Sequence, residues 1–443
     1  MGAEKFMKKH SLAQGQLVKI IGGRREFTGN IIPGSSKNDE IIRLKLKSGY
    51  NIGIRLLPKM KVEKLEGEKK VGKAAKRSIE QDESLPKIAI LHIGGTIASR
   101  VDYRTGAVNA GFEPEDLLEM FPELTKIAQF TTKKITQIAS ENMRIEHYRQ
   151  IAEEIAKVAA DGSVKGILLP HGTDTMHYTS AALAFMLDDI QIPVILVGAQ
   201  RSSDRPSSDA AMNLVCASEF IVKTDFAGVA ICMHENLDDK NCVLLPACKT
   251  RKMHTSRRDA FRPVNDTAIA RVNFETRHVE FIKKDYVHKD PSKKLKLRPK
   301  MDADVSIIKT HTNMRVEQFE YILKHKFSGV VFEGTGLGHT EMESSDENSK
   351  YNEKIAKAIK KIRDSGTIVV MASQAIFGRV QMHVYSPGTY LLDMGVIPAE
   401  DMTPETAFIK LSWLLGNFPK EKVRELFRQN LRGEISGFTR YEV

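Results

Sequence analysis

Hydrophobic and polar positions alternate in two repeating patterns from Pro86 onward. Short apolar runs at residues 88–93, 166–170 and 193–197 have the length and composition of strands that are buried on both faces of a sheet. Between them, residues 144–160 place apolar side chains at spacings of three and four, which predicts an amphipathic helix. Strands that alternate with such helices predict an α/β fold with a doubly wound, mostly parallel sheet.

The alternation is interrupted once and then resumes. Residues 236–299 are irregular and basic. A second, shorter run of strands and helices begins at Val305 and includes a helix with Thr403 as its predicted N-cap. The chain is therefore predicted to contain a large α/β domain over residues 86–290 and a smaller C-terminal α/β domain over residues 300–443.

The first part of the chain has a different pattern. Residues 1–60 contain short alternating strands separated by turn residues such as Pro33-Gly34-Ser35-Ser36, which predicts a small β-barrel domain. Residues 61–85 are rich in Lys, Glu and Gly and poor in apolar residues, which is typical of a solvated linker. The lysines of this stretch also allow a nucleic-acid-binding interpretation, but the glutamates among them favour a linker.

Composition adds a constraint on partners. The 443-residue chain carries a formal net charge of +11, so a polyanion such as nucleic acid is a plausible partner. A basic balance also simply keeps a protein in solution. Charge therefore leaves open whether this chain contacts nucleic acid directly.

Cysteine usage and the first residues bear on location. The cysteines are few and scattered, at Cys216, Cys232, Cys242 and Cys248, and no two form a CxxC pair, so neither a zinc site nor a disulfide framework is expected. Residues 1–10 are polar and lack the apolar core of a secretory signal. No apolar run approaches the roughly 20 residues that span a bilayer. These features predict a cytoplasmic protein that does not contact a membrane.

Two stretches at predicted strand ends combine glycine with groups that can do chemistry. Gly94-Gly95-Thr96 ends the first apolar run, and a hydroxyl there lies where open α/β sheets bind ligands. His171-Gly172-Thr173-Asp174-Thr175-Met176 follows the next run and opens a helix, whose free N–H groups suit a carboxylate or an oxyanion. In both stretches the alternative is that the hydroxyl and carboxylate side chains only cap a helix.

Two further stretches are polar and lie beyond strands. Residues 197–209 form a polar loop that fits either ligand binding or the capping of the next helix. Lys252 lies in a basic segment and would by itself be taken as a surface residue. Composition does not rank these stretches further.

The two glycine-threonine motifs, in this order and at strand ends, resemble the signatures of the bacterial-type L-asparaginase/glutaminase family. The resemblance extends from about Pro86 to the C-terminal region and implies an asparaginase-like, two-lobed fold. It also implies that Thr96 is the nucleophile that forms an acyl-enzyme with a side-chain amide, and that no metal takes part.

The resemblance assigns further roles, residue by residue. Lys252 is preferred to the neighbouring Lys249 as the family's lysine because it lies nine residues before Phe261 within a Lys-x-x-Thr pattern. Glu141 stands where several family members carry glutamine, so the preference between glutamine and asparagine is open. The implied catalytic residues are Thr96, Tyr103, Thr173, Asp174 and Lys252, and the implied substrate-binding residues are Gly95, Ser140, Glu141 and Gly172.

The N-terminal region adds a second resemblance. Residues 15–20 and 44–54, and the polar loop at residues 200–209, resemble the amidase-subunit family of the archaeal-type, tRNA-dependent amidotransferases. This resemblance implies that ammonia released from glutamine or asparagine passes to a partner, the E subunit of the amidotransferase, for conversion of Glu-tRNA(Gln) to Gln-tRNA(Gln). ATP and Mg are then expected in the partner and no cofactor in this chain, which contains no P-loop motif. The implied assembly is a homodimer of this chain within a heterotetramer, with tRNA(Gln) bound through the complex.

Two other functions remain to be distinguished. One is a free-standing cytoplasmic L-asparaginase with an accessory domain. The other is a non-catalytic tRNA-binding or scaffolding protein, although a binding module has no need of Thr96, Thr173, Asp174 and Lys252 together. The sequence leaves open the path of the ammonia and whether Arg257, Arg258 and Arg262 face tRNA.

Overall fold

The structure is a computed structural model of the full chain. Two predicted site residues, Thr96 and Tyr103, lie outside the residues it describes. The described residues are 2–22, 25–32, 40–46, 51–57, 60–65, 81–95, 97, 100–101, 108–109, 116–201 and 208–438.

The N-terminal region is an antiparallel sheet with a helix against it. Val18 and Ile20 alternate with more exposed residues along the first strand and pack with Phe6 of the helix in a small core. Within the described residues the strand order is β4-β3-β2-β1-β5. The elements are α1 (Ala3–Lys9), β1 (Leu17–Gly22), β2 (Arg25–Ile32), β3 (Ile41–Leu46), β4 (Asn51–Arg55) and β5 (Lys61–Lys64).

The last strand of this sheet corrects the predicted domain boundary. Residues 61–85 were expected to form a linker, but β5 pairs with β1 so that Val62 lies opposite Ile20. Val62 is the single apolar residue among the four of this strand, and the other three are exposed. An edge strand with so polar a composition does not differ from a linker in its sequence pattern.

The large lobe is built on a sheet with strand order β18-β17-β14-β13-β12-β10-β6-β9 within the described residues. Strands β9, β6, β10, β12 and β13 are parallel, and every residue of β10 and β12 is buried, as predicted for strands covered on both faces. The elements are β6 (Lys87–His92), β7 (Arg100–Val101), β8 (Val108–Asn109), α2 (Asp116–Met120), β9 (Gln129–Lys134), α3 (Ile145–Asp161), β10 (Gly166–Pro170), α4 (Met176–Met186), β11 (Leu187–Asp188), β12 (Pro193–Val197), α5 (Ala210–Lys223) and β13 (Gly228–His234).

Helices cover both faces of this sheet, which confirms the doubly wound prediction. Residues of α3 and α4 pack on one face and residues of α2 and α5 on the other. Helix α3 buries Tyr148, Ile151 and Ile155 on one side and stops at Gly162, whose φ of 68° is a left-handed conformation.

The segment predicted to be irregular, which lies wholly within the described residues, contains six short strands, although most of its residues lie in turns and loops. It adds the antiparallel strands β14, β17 and β18 to the sheet beyond β13, while β15 and β16 pair with each other. These strands have between two and six residues each, which is too short for a clear periodicity. Their bounds are β14 (Asn241–Pro246), β15 (Thr250–Lys252), β16 (Phe261–Pro263), β17 (Ala270–Asn273), β18 (Val279–Phe281) and β19 (Lys296–Leu297).

The C-terminal lobe has a parallel sheet of its own, with strand order β20-β21-β22-β23 in the described residues. Its helix α9 begins after the predicted N-cap, Thr403, whose hydroxyl accepts a hydrogen bond from the Thr406 N–H at 3.2 Å. The elements are β20 (Val305–Lys309), α6 (Val316–Lys324), β21 (Gly329–Gly334), α7 (Asn352–Asp364), β22 (Ile368–Ser373), α8 (Ser386–Asp393), β23 (Ile397–Pro398), α9 (Pro404–Asn417) and α10 (Lys420–Phe427).

The lobes share one hydrophobic core, and α9 is its main contribution from the C-terminal side. Trp413 of α9 stacks on Phe185 of α4 with ring centroids 5.4 Å apart. The segment after α10 also bridges the lobes, since Arg432 Nε donates to the Ala184 carbonyl at 3.0 Å and Glu434 forms a fully buried ion pair with Lys410. The relative position of the lobes is therefore fixed by packing and by polar contacts.

The cysteine side chains lie in the interior of the protein. Cys216, Cys232, Cys242 and Cys248, which all belong to the described part of the chain, are buried as free thiols. Burial raises the pKa of the Cys248 thiol far above its ordinary value. Among the helices that the structure describes, none is long and apolar enough to cross a bilayer.

Candidate active site

Three adjacent parallel strands of the large lobe end at the same edge of the sheet. The chain after β6 carries Gly94-Gly95, the chain after β10 carries residues 171–175, and the chain after β12 carries Gly198. Carboxyl ends of neighbouring parallel strands are where open α/β sheets bind ligands. The structure thus brings most of the predicted site residues to this edge.

Glycines let the loops at this edge approach each other closely. Gly94 and Gly95 have φ angles of 120° and 92°, which side chains rarely adopt. A Cβ on Gly95 would lie 2.4 Å from the Gly172 nitrogen, and a Cβ on Gly172 would lie 2.7 Å from the Ser140 Cβ. Three of the predicted substrate-binding residues, Gly95, Gly172 and Ser140, are therefore in direct contact.

The second threonine, the aspartate and the lysine form one cluster. Lys252 Nζ donates to Thr173 Oγ1 at 2.9 Å and to Asp174 Oδ1 at 2.7 Å. Thr173 is buried and the Lys252 side chain is 10% exposed. A charged donor held at a buried hydroxyl is an arrangement able to stabilise negative charge on that oxygen.

The two partners of the Lys252–Asp174 ion pair differ in exposure. The Asp174 side chain is 64% exposed in the chain as described. The pair is therefore buried at the ammonium and open at the carboxylate, because Asp174 lies at the start of α4 on the surface of the lobe.

A short hairpin explains why Lys252 reaches the site and Lys249 does not. Strands β15 and β16 pair so that Lys252 lies directly opposite Phe261. The nine-residue spacing in the sequence is thus the spacing that closes this hairpin. Lys249 points elsewhere and forms a fully buried ion pair with Asp401, its Nζ 2.6 Å from Oδ2.

The first helix turn after β10 is tied to the Ser140 loop. Thr175 Oγ1 donates to the Ser140 carbonyl at 2.7 Å, and Ser140 itself is buried. Glu141 follows in a short 3-10 helix (Ser140–Asn142) and is exposed. Ser140 thus lies against Gly172, while Glu141 presents its carboxylate to solvent.

Histidines beneath the cluster are held neutral. Burial lowers the pKa of His171 to about 4, and its ring bonds the Gly172 carbonyl and the Thr179 hydroxyl. Burial, with the nearby charges of Arg251 and Lys252, also lowers the pKa of His177 to about 4. Neutral imidazoles add no positive charge to the site at neutral pH, so the positive charge beside His177 comes from Arg251 and Lys252.

A buried polar network supports the loop after β12 and was not predicted. Asp209 accepts the backbone N–H groups of Gln200 and Arg201, and Asn213 Nδ2 donates to the Gly198 carbonyl at 3.0 Å. His234 completes the network through its bond to Asn213 Oδ1 at 2.7 Å. The one sequence signal was a polar Asn213 among the apolar residues of α5.

The arginines whose orientation the sequence left open, Arg257, Arg258 and Arg262, are paired with carboxylates. Arg257 and Arg262 both contact Asp259, and Arg258 contacts Asp239. No group of three or more potential metal ligands was found among the described residues.

A cavity of about 430 Å³ lies at the other edge of the large sheet. Its walls include Ile190, Phe226 and Leu431, and charged side chains beside it are paired with each other, as Lys283 is with Asp266 at 2.6 Å. None of the predicted site residues lines this cavity. The candidate active site is therefore the cluster at the carboxyl ends of the strands.

Comparison with known families agrees with this geometry. Residues 87–286 match the model described as Asparaginase, N-terminal, and residues 304–427 match the Glutaminase/Asparaginase C-terminal domain. Residues 12–65 match the GatD N-terminal domain. The chain therefore combines both halves of the asparaginase fold with a further N-terminal domain.

Solved structures show the same fold. The chain is similar to the thermostable L-asparaginase from Thermococcus kodakarensis, with a TM-score of 0.68 and 28% identity over 80% of this chain and all of that chain. It is also similar to L-asparaginase I from Vibrio cholerae, with a TM-score of 0.67 and 26% identity over 80% of this chain and 99% of that one. The asparaginase-like fold predicted from the two motifs is confirmed.

Curated relatives match the chain over nearly its whole length. The protein named as the D subunit of glutamyl-tRNA(Gln) amidotransferase from Thermococcus kodakarensis is 43% identical over 99% of this chain and 98% of the relative. The protein of that name from Pyrococcus abyssi is 41% identical over 100% of this chain and 99% of the relative. The chain belongs to the family of glutamyl-tRNA(Gln) amidotransferase D subunits.

Proposed function

We propose that this chain is the amidase half of a tRNA-dependent amidotransferase, which releases ammonia from glutamine through a Thr96 acyl-enzyme. The observation that carries the proposal is the bond from Lys252 Nζ to Thr173 and Asp174 beside the contact between Gly95 and Gly172. Thr96 follows Gly95 directly in the chain. An ion pair between a lysine and a carboxylate can stabilise a fold without a third partner. The contact of this pair with a buried hydroxyl at a strand end therefore favours a catalytic role.

In the first chemical step, the Thr96 hydroxyl oxygen attacks the carbonyl carbon of the glutamine side chain. Tyr103 or a water takes the hydroxyl proton, and the carbonyl π electrons move to its oxygen. Backbone N–H groups at Gly95 and at the start of α4 stabilise this oxyanion. The oxyanion then re-forms the carbonyl as the C–N bond breaks, the leaving nitrogen takes up the proton removed from Thr96 and departs as ammonia, and an ester to Thr96 remains.

In the second step, water attacks the ester carbonyl carbon, the bond from that carbon to the Thr96 oxygen breaks, and a proton from the water returns to the Thr96 oxygen as glutamate leaves. Lys252 donates to Thr173 Oγ1, so the Thr173 hydroxyl hydrogen points away from the lysine and is free of that bond. Asp174 balances the lysine charge. This set polarises the Thr173 hydroxyl, as a hydroxyl requires when it must orient or activate water.

Substrate contacts follow from the same loops. Gly95 and Gly172 leave backbone close to the reacting amide, because a side chain at either position would clash. The Ser140 hydroxyl and the exposed Glu141 carboxylate then bind the polar end of the amino acid, with Glu141 facing its ammonium group. A carboxylate at position 141 leaves either glutamine or asparagine as the amide donor.

The partner assignments rest on the N-terminal domain and on the named relatives. We propose that ammonia passes to the E subunit of the amidotransferase, which holds ATP and Mg, in a cytoplasmic heterotetramer that contains a homodimer of this chain and binds tRNA(Gln). The solved asparaginases cover 80% of this chain and essentially all of their own, whereas the curated relatives match nearly its full length. This coverage favours one half of an amidotransferase over a free-standing asparaginase.

The test uses Thr96→Ala in the assembled complex. We expect glutamine-dependent amidation of Glu-tRNA(Gln) to be lost while amidation with free ammonium persists, because only the ammonia source is removed. Loss of both activities would contradict the assigned role.

A second measurement distinguishes the amidotransferase subunit from a free-standing L-asparaginase. Wild-type amide hydrolysis is expected to be weak in the isolated chain and to rise when the partner and tRNA are added. Removal of residues 1–85 with retention of strong, partner-independent hydrolysis would instead support a free-standing L-asparaginase.

A further inference from the structure

The short strand β15 presents successive side chains to two different lobes. Lys252 contacts Thr173 and Asp174 in the large lobe, whereas Arg251 contacts Glu405 in the C-terminal lobe, its Nη2 2.9 Å from Oε1. Side chains of adjacent strand residues point to opposite faces, so this division follows from the backbone. A constraint on Arg251 is therefore also a constraint on Lys252.

The preceding residues are held by the same region of the C-terminal lobe. Lys249 is fully buried against Asp401, and its Nζ also donates to the Asp401 carbonyl at 3.1 Å. Thr406 Oγ1 donates to the Cys248 carbonyl at 2.9 Å. The segment from Cys248 to Arg251 is thus fastened to the first turn of α9 and the residues just before it.

These contacts are held firmly. Burial lowers the pKa of Lys249, and the Asp401 carboxylate opposes that effect. Separation of the two side chains would leave an unpaired charge in the interior or require its exposure to solvent, and both are unfavourable. Thr403 caps α9 and fixes the turn that carries Glu405 and Thr406. The anchor is therefore a rigid helix start rather than a surface loop.

By contrast, the strand that carries Lys252 is short. It has three residues and pairs with β16 alone among the described strands. A lysine side chain also has four rotatable bonds, so the position of its ammonium depends on how well the backbone beneath it is fixed.

We propose that Glu405 of the C-terminal lobe is a positioning residue, which holds Lys252 at Thr173 through the paired side chain of Arg251, on a segment that the Lys249–Asp401 pair also fastens to that lobe. This inference rests on the proposed amidase function. It gives the C-terminal lobe a part in the chemistry of a site whose described residues all belong to the large lobe.

The test compares Glu405→Gln, Arg251→Met and the double variant with the wild-type chain in its assembled complex. Ammonia release from L-glutamine is measured as kcat and KM, and thermal unfolding reports the folded fraction. We expect kcat to fall between about tenfold and a hundredfold in each single variant, as for small displacements of a catalytic group. KM should stay within about twofold, because the substrate-binding residues are untouched.

The double variant tests whether Glu405 and Arg251 act as a pair. If Glu405 acts through Arg251, the double variant should have nearly the kcat of either single variant. Losses that multiply would overturn the proposal, as would a wild-type kcat in Glu405→Gln and Arg251→Met. Glu219→Gln is the matched control, because Glu219 has the same 9% side-chain exposure as Glu405 and pairs with Lys223 on α5. This control should keep the wild-type kcat.

The outcomes also distinguish a failure of the positioning role from a failure of the proposed amidase function. A wild-type complex without glutamine hydrolysis would overturn the proposed function. An active wild type, an inactive Lys252→Met variant and fully active Glu405→Gln and Arg251→Met variants would overturn only the positioning role.

Discussion

The two lobes use similar strand ends for different purposes. In the large lobe, Gly94-Gly95 and the Thr173 loop bring a buried hydroxyl to Lys252. In the C-terminal lobe, Gly334-Thr335-Gly336 also follows a buried parallel strand, but Thr335 Oγ1 donates to the His339 carbonyl at 3.2 Å within its own turn. The neighbouring Ser373 and Gln374 likewise donate to backbone carbonyls of this lobe.

The difference shows what a glycine-threonine motif requires before it supports chemistry. A threonine at a strand end can take part in catalysis only if another loop brings a charged or acidic side chain to its hydroxyl. Thr173 has such a partner in Lys252, whereas the Thr335 hydroxyl is used by local backbone. The glycine-threonine motif thus predicts a turn at the strand end, and the side chain that contacts the threonine hydroxyl determines whether the turn can support catalysis.

Paired threonine substitutions give the largest expected effect. Thr173→Val should lower kcat for glutamine hydrolysis about a thousandfold, because a methyl group cannot orient or transfer a proton. Thr335→Val should leave kcat within about twofold, since it removes only a turn contact. Steady-state ammonia release by both variants checks this, and equal losses would show that the lobes are not specialised in this way.

Paired glycine substitutions should differ in stability. Gly95→Ala combines a φ of 92° with a Cβ 2.4 Å from the Gly172 nitrogen, so we expect a loss of about 2 to 5 kcal/mol in the free energy of unfolding. Gly336 has a φ of 50° but open space around it, so Gly336→Ala should cost about 1 to 2 kcal/mol. Thermal unfolding midpoints compare them, and a larger loss at Gly336 would contradict the close approach in the large lobe.

Acid should destabilise the large lobe through its buried histidines. Their pKa of about 4 lies below the ordinary 6.5, so the unfolded chain binds more protons and stability falls as pH drops from about 6.5 to about 4. Each histidine contributes about 3 kcal/mol across that window. His177→Gln should make the unfolding midpoint less dependent on pH over this window. A pH curve parallel to that of the wild-type chain would exclude this origin.

The smallest effect is expected at the C-terminal lobe's own lysine. Lys309 lies 3.1 Å from Glu333 at the end of β20, but its side chain is 62% exposed. Lys309→Met should therefore change the free energy of unfolding by less than about 1 kcal/mol. Denaturant unfolding measures this, and a larger loss would show that the second lobe also depends on a strand-end lysine.

Much of the arrangement could be predicted from the sequence because it is local. The buried runs of β10 and β12 and the N-cap of α9 depend on nearby residues, and the fold and family predicted from the motifs are confirmed. The spacing of Lys252 and Phe261 carried real information, since these residues face each other in a hairpin.

Other features could not be predicted because they depend on distant parts of the chain. Asp401 and Glu405 lie about 150 residues after the lysine and arginine that they hold. Strand β5 is too polar to be told from a linker, and the exposure of Asp174 follows from the surface position of the α4 start. The roles of Thr96 and Tyr103 stay predictions, since both lie outside the described residues.

The burial of the native thiols makes this sequence a convenient background for spectroscopy. Cys216, Cys232, Cys242 and Cys248 are enclosed in the core, so alkylating probes should react slowly with the folded protein. One cysteine placed on the exposed face of α7, for example Lys357→Cys, would then carry a fluorophore at a single known position. Distances from that label to a labelled tRNA or partner could be measured without first removing any native cysteine.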